Sequence, residues 1–137
     1  MSPSADDPPF PECPDPPGQT LAVIAEVLYL MNLLLLPGFA FLILLGLYFK
    51  EGGAPQLARC HLRQTVAASL WAVALLGAAN GLILLLGGYA MPATWVVVIL
   101  YFTVCHSTLV LLGVLGLAKA MAGRTFIYPV VGRRCDG

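Results

Sequence analysis

Three long apolar blocks, with every basic residue on one side of them, constrain this chain more than any other feature. The blocks run Leu21–Phe49, Val66–Ala90 and Ala93–Met121. Lys50, Arg59 and Arg63 follow the first, and Lys119, Arg124, Arg133 and Arg134 close the third, which accounts for all seven Lys and Arg. The N-terminal segment and the Gly87–Pro92 turn carry none. A bilayer core about 30 Å thick needs roughly 20 apolar residues per helix, and each block meets that length. Only 10% of the chain is charged and 59% is hydrophobic, against roughly 25% charged in a soluble domain. The reading is an all-α integral membrane bundle of three transmembrane helices. The positive-inside rule places Lys50–Arg63 and the C-terminus in the cytoplasm, and three spans then leave the N-terminus outside. The corresponding location is a bacterial inner membrane, crossed several times.

The chain divides into a Pro-rich acidic tail (1–19), a helical membrane domain (20–130) and a basic cytoplasmic tail (131–137). Seven of the eleven prolines lie in Met1–Gly18, with Asp6, Asp7, Glu12 and Asp15. Such a segment cannot bury a core and reads as extended or disordered. It lacks the basic n-region of a signal peptide. Formal net charge is zero and no basic stripe follows a surface, so nucleic acid is not an expected partner.

The first block is about 43 Å long if fully helical, which exceeds the hydrocarbon thickness. Pro37–Gly38 supplies a kink within it. Thr20 is placed to cap its start, and Glu26 reads as a carboxylate near the outer surface. Pro55 opens a short amphipathic helix at the headgroup level. There Gln56, Arg59, Cys60 and Arg63 share a basic face that suits anionic lipid. Gly77 and Gly81 form a G-x-x-x-G pattern in the second span, and Gly113 and Gly116 a similar stripe in the third. Missing side chains let another backbone approach closely. Tyr89 and Trp95 fit an interfacial aromatic belt.

Polar groups inside hydrocarbon are costly and therefore informative. Asn32, Asn80 and His106 lie near the middle of three different spans and read as one interhelical hydrogen-bond network. His106 is a candidate axial ligand to haem, although the other histidine, His61, lies at a different depth. Cys13, Cys60, Cys105 and Cys135 fall in three compartments, which argues against a disulfide framework, and no C-x-x-C spacing points to a metal. No nucleophile elbow, metalloprotease motif, phosphate loop or dinucleotide fingerprint is present, and no resident cofactor is expected. Cys105 and His106 are adjacent, so their side chains diverge around a helix and suit a nucleophile–base pair poorly.

Two short motifs carry a family resemblance. His61-Leu-Arg-Gln64, at the entry to the second span, looks like an H-x-x-Q element. Ala118-Lys-Ala-Met-Ala-Gly123 followed by Phe126-Ile-Tyr-Pro129 looks like an A-x-x-A-x-x-G…Y-P ending. Together they make Pro55–Val130 similar to small bacterial integral membrane proteins of unknown function. That family is distantly similar to the twenty-kilodalton component of the chloroplast inner-envelope import machinery. The resemblance implies a helical membrane domain with His61, Gln64, Tyr128 and Pro129, beside Arg59 and Arg63, near one cytoplasmic surface. It supplies no catalytic mechanism, and the additional span usual in the import relatives is not evident. From the residues alone, Tyr128–Pro129 also reads as an interfacial aromatic and a helix stop.

The expected role is a non-catalytic accessory or assembly subunit of a larger inner-membrane complex, packed against larger membrane subunits or another copy of itself. The alternatives are a transport or translocation component acting as an oligomer, and a haem- or redox-associated subunit.

Overall fold

The computed structural model describes residues 14–132, 134 and 135. All regular structure in them is helical. The first apolar block forms two helices, α1 (Gln19–Leu34) and α2 (Phe39–Lys50), rather than one kinked span. The second block lies in α3 (Gln56–Leu85). The third is one continuous helical rod, Ala93–Met121. It consists of α4 (Ala93–Leu100), a π-helical turn (Tyr101–His106) and α5 (Ser107–Met121). Among the described residues, α3 and the Ala93–Met121 rod are the two helices long and apolar enough to cross a membrane.

The break after Leu34 has a local cause. The amides of Leu35 and Leu36 both bond the Met31 carbonyl, the second through a wider π-type turn that ends the α-helical ladder. Pro37 has no amide to continue the ladder. Gly38 takes φ 93°, a conformation that side chains rarely allow. Its amide, otherwise an orphan at the start of α2, donates to Asn32 Oδ1 at 2.9 Å. The chain thus reverses where the sequence predicts a kink. Ala25 and Leu44 meet in one apolar cluster with Leu62 and Val66, so α2 runs back along α1. Thr20 lies inside the first turn of α1, which has no side-chain cap.

The reversal changes where the ends lie. A Cβ on Gly18 would stand 2.9 Å from Pro55 and 3.1 Å from Ala58. Gln19 Nε2 donates to the Met121 carbonyl at 2.6 Å. Residues 16–19 therefore sit at the same end as the start of α3 and the end of α5, not at the opposite end. The Pro-rich residues 1–13, Cys13 among them, lie outside the described residues, as does Arg133.

No separate amphipathic helix precedes the second span. Gln56–Leu85 is unbroken, because no glycine or proline falls between Arg63 and Val66. Thr65 turns its hydroxyl back to the carbonyls of His61 (2.9 Å) and Leu62 (3.1 Å), which hides a polar group inside the helix. The polar first turns of α3 dock on α1 and on the segment after α5. The remainder of α3 is largely exposed; Leu85 is 86% exposed.

The chain beyond α5 is also packed. Gly123 at φ 65° turns it away from the helix. The chain from 124 to 135 then runs as a strap, described at 124–132, 134 and 135, whose Tyr128 is buried with Tyr29 and Ala68, with Val131 against them. A disulfide joins Cys135 to Cys60, whose Cα atoms are 5.2 Å apart. Val131, Gly132 and Cys135, expected in a free basic tail, belong to this strap. The distribution of the cysteines over compartments argued against a disulfide framework; the return path of the strap brings Cys135 to Cys60.

Candidate functional site: a buried Glu26–His61–Tyr128 cluster

Glu26 and His61 are each 0% exposed. The site begins with small residues. Ala22 and Ala25 lie on the buried side of α1, and Gly113 and Gly116 face it from α5. A Cβ on Gly116 would fall 2.6 Å from a Glu26 carboxylate oxygen, and one on Gly113 would fall 2.7 Å from Leu30 and 2.8 Å from the Tyr29 ring. The stripe predicted in the third span thus lets α1 approach closely enough to insert a carboxylate. Tyr29, one turn on, donates to the Leu109 carbonyl at 3.1 Å.

Two groups converge on this carboxylate, and a backbone carbonyl holds the far side of one of them. His61 Nδ1 lies 2.6 Å from Glu26 Oε1, and the Tyr128 hydroxyl donates to Oε2. His61 Nε2 lies 3.0 Å from the Arg124 carbonyl oxygen. A carbonyl only accepts, so Nε2 must carry a proton. The remaining proton lies on the Nδ1–Oε1 line. Either the imidazolium faces a carboxylate or the neutral imidazole faces a carboxylic acid. Both states are neutral overall, which is how a polar pair this deeply buried avoids a net charge. Burial, and then the nearby Glu26 charge, push the Tyr128 phenol well above the ordinary tyrosine range, so it stays a donor. The cluster can hold and relocate one proton.

Gln64 is also buried, one turn along α3 from His61. Its Nε2 donates to Cys135 Sγ at 3.6 Å. His61, Gln64 and Tyr128, which the two short motifs singled out, are thus drawn together by the fold. They are buried rather than displayed, while Arg63 stays exposed and Arg59 half-buried. The Tyr128 ring lies edge-on to Tyr29 with centroids 5.9 Å apart, so this residue is neither an interfacial aromatic nor a helix stop. Pro129 follows it in the turn that closes when the Gly132 amide bonds the Tyr128 carbonyl at 2.8 Å.

Asn32, Asn80 and His106 do not form one network. Asn32 holds the α1–α2 turn. Asn80 donates to the Leu76 carbonyl at 2.8 Å and accepts from the Tyr89 hydroxyl. His106 packs near Phe102, centroids 5.3 Å apart, in a cleft of about 290 Å³ that Asn32 and Tyr101 also line. The π-helical turn aims His106 there. It is reinforced by the Ser107 hydroxyl on the Phe102 carbonyl at 2.8 Å. His61 cannot serve as a second haem ligand in this arrangement, because both its nitrogens are engaged.

Glu26 is the central residue that sequence reasoning placed at the membrane surface. Two signals pointed elsewhere: Ala22, Ala25, Glu26 and Tyr29 share a face at helical spacing, and a carboxylate on such a face needs a partner. The fold and site together define an all-helical protein with two helices of membrane-spanning length tied to a short helical hairpin by a buried carboxylate–imidazole pair. No protein-family model, curated protein or solved structure matches the chain.

Proposed function

We propose that this protein is a non-catalytic accessory subunit of a larger membrane complex, inserted so that its basic end faces the cytoplasm of a bacterial inner membrane. The observation that carries the reading is the unequal use of two glycine pairs. Gly113 and Gly116 are filled by α1, whereas nothing lies within 4 Å of a Cβ built on Gly77 or Gly81. The outer half of α3 thus offers a small-residue face that the monomer leaves open, where another helix backbone can approach closely. Leu70, Val73, Leu84 and Leu85 around it are exposed, and in hydrocarbon such a surface is stable.

Two spans, α3 and the Ala93–Met121 rod, support this topology, with the α1–α2 hairpin entering and leaving on the basic side. The hairpin turn reaches the level of Ala72–Leu76, about 24–30 Å along α3 from Gln56. The basic side then meets anionic lipid.

The test is purification in mild detergent. The expected result is a complex containing another membrane protein or a second copy, lost in Gly77→Leu/Gly81→Leu while the folded chain persists. A strictly monomeric protein with no companion overturns the reading. A C-terminal fluorescent-protein fusion should fluoresce and a C-terminal alkaline phosphatase fusion should be inactive; the opposite pair reverses the orientation.

A further inference from the structure

A cleft of about 620 Å³ runs between α2 and α3, closed on one side by the strap. Arg63 and Arg134 line it together with Leu45, Val66, Leu70 and Trp71. From Arg63 to Trp71 is eight residues of helix, about 12 Å of depth. Both guanidinium groups therefore belong to one end and the apolar wall extends away from them. Neither arginine has a carboxylate within salt-bridge distance among the described residues. Glu51 lines a neighbouring cleft with Arg59 and Arg63; burial raises its pKa above the ordinary carboxylate value, and Arg59 offsets part of that rise.

We infer that this cleft is a binding site for one anionic phospholipid, with its phosphate on Arg63 and Arg134 and an acyl chain against Leu45, Val66, Leu70 and Trp71. The inference rests on the membrane reading above and adds a specific ligand to it. Charge complementarity selects the occupant. Paired guanidinium groups match phosphate geometry, and the apolar wall begins where a headgroup gives way to its chains. A second copy would bring its own arginines to the same level and meet like charge. A partner's transmembrane helix has no use for two cations at the end of an apolar groove. The strap contributes Val131 and Arg134 to the cleft, and Tyr128 anchors the strap through Glu26.

Tryptophan quenching tests this, because the chain has two tryptophans and only one lines the cleft. The full chain is reconstituted in phosphatidylcholine nanodiscs as Trp95→Phe, leaving Trp71, and as Trp71→Phe, leaving Trp95. Phosphatidylglycerol or phosphatidylcholine with brominated chains is then titrated in. At Trp71 the anionic lipid should be preferred by about fivefold for each arginine it meets. At Trp95, which is 69% exposed at the far end, the two lipids should quench equally. Arg63→Gln or Arg134→Gln should each reduce the Trp71 preference, and the double variant should bring it to parity. Arg63→Lys and Arg134→Lys should keep most of it. Inorganic phosphate should leave it unchanged.

Parity at Trp71 in the Trp95→Phe protein overturns the site. Loss of the preference in inorganic phosphate makes it a free-anion site and overturns the lipid. Quenching of Trp95 without quenching of Trp71 means that protein covers the cleft, which also overturns it. Failure of brominated phosphatidylcholine to quench Trp95 defeats the membrane reading itself, a result distinct from the other three.

Discussion

Replacing His61 by leucine removes two hydrogen bonds from the most enclosed part of the fold. Glu26 loses the Nδ1 partner at 2.6 Å and the Arg124 carbonyl loses Nε2 at 3.0 Å. Tyr128 then remains as the donor to the carboxylate. Breaking a buried pair from one side costs about 3–5 kcal/mol, because the remaining charge stays buried without compensation. Protonation of Glu26 limits that cost, so about 4 kcal/mol is expected for His61→Leu at neutral pH. Removing the whole set behaves differently. In Glu26→Met/His61→Leu/Tyr128→Phe no buried charge survives and the volumes are similar, so a loss of less than about 1.5 kcal/mol is expected. The triple variant should therefore be more stable than the single one. The assay is thermal unfolding of the purified protein in one detergent, where 1 kcal/mol corresponds to about 3–5 °C for a chain of this size. A His61→Leu protein that melts within 3 °C of the parent, or a triple variant at or below the single one, refutes this account of the cluster.

Gly116→Ala places a methyl group against the pinned Glu26 carboxylate and should destabilise the monomer by about 1–3 kcal/mol, whereas Gly77→Ala should leave monomer melting unchanged; equal effects would show that both stripes are used alike. Cys60→Ser opens a loop spanning 75 residues of separation. Under oxidising conditions it should lower stability by at most about 4 kcal/mol, and the parent should lose the same amount on reduction; an unchanged melting point in both would mean that the strap holds without the bridge. Asn32→Ala leaves the Gly38 amide without its acceptor and should cost about 1 kcal/mol, read as faster amide exchange at the α1–α2 turn.

The parts of the fold that were legible in the sequence rest on local chemistry. Apolar length identified α3 and the Ala93–Met121 rod, and the same-side basic residues marked one end of the molecule. The parts that were not legible depend on distant partners. Pro37–Gly38 inside an apolar run is compatible with a kink or a reversal, and the outcome turns on contacts that neighbouring residues do not reveal. The Asn32 side chain must reach the Gly38 amide, and Glu26 must find His61 thirty-five positions later. The two glycine stripes illustrate the same limit. Both show small residues at helical spacing, yet only the pair that meets Glu26 and Tyr29 is filled within the monomer. Cys60–Cys135 was excluded on compartment grounds, which say nothing about the path the strap takes back along α3.

The basic end and the disulfide report on different things, and this resolves their apparent conflict under the proposed orientation. Insertion responds to Lys and Arg in short loops, and Lys50, Arg59, Arg63, Lys119 and Arg124 lie at one end while the Gly87–Pro92 turn has none. That bias acts before the helices have packed. A disulfide forms only after the strap has placed Cys135 beside Cys60, and only if the compartment permits it. Tyr128 anchors the strap through Glu26 whether or not the sulfurs are bonded. With the basic end in a reducing cytoplasm, the two cysteines would be thiols at rest, held near each other by the Glu26–His61–Tyr128 cluster. Alkylation in intact cells followed by reduction and a second, heavier label separates the cases. Both cysteines should take the first label in cells. When reduced, unlabelled protein is exposed to oxidised glutathione, which accepts the two electrons and is released as reduced glutathione, His61→Leu should form the Cys60–Cys135 bond more slowly than the parent, because the cluster that positions the strap has been weakened.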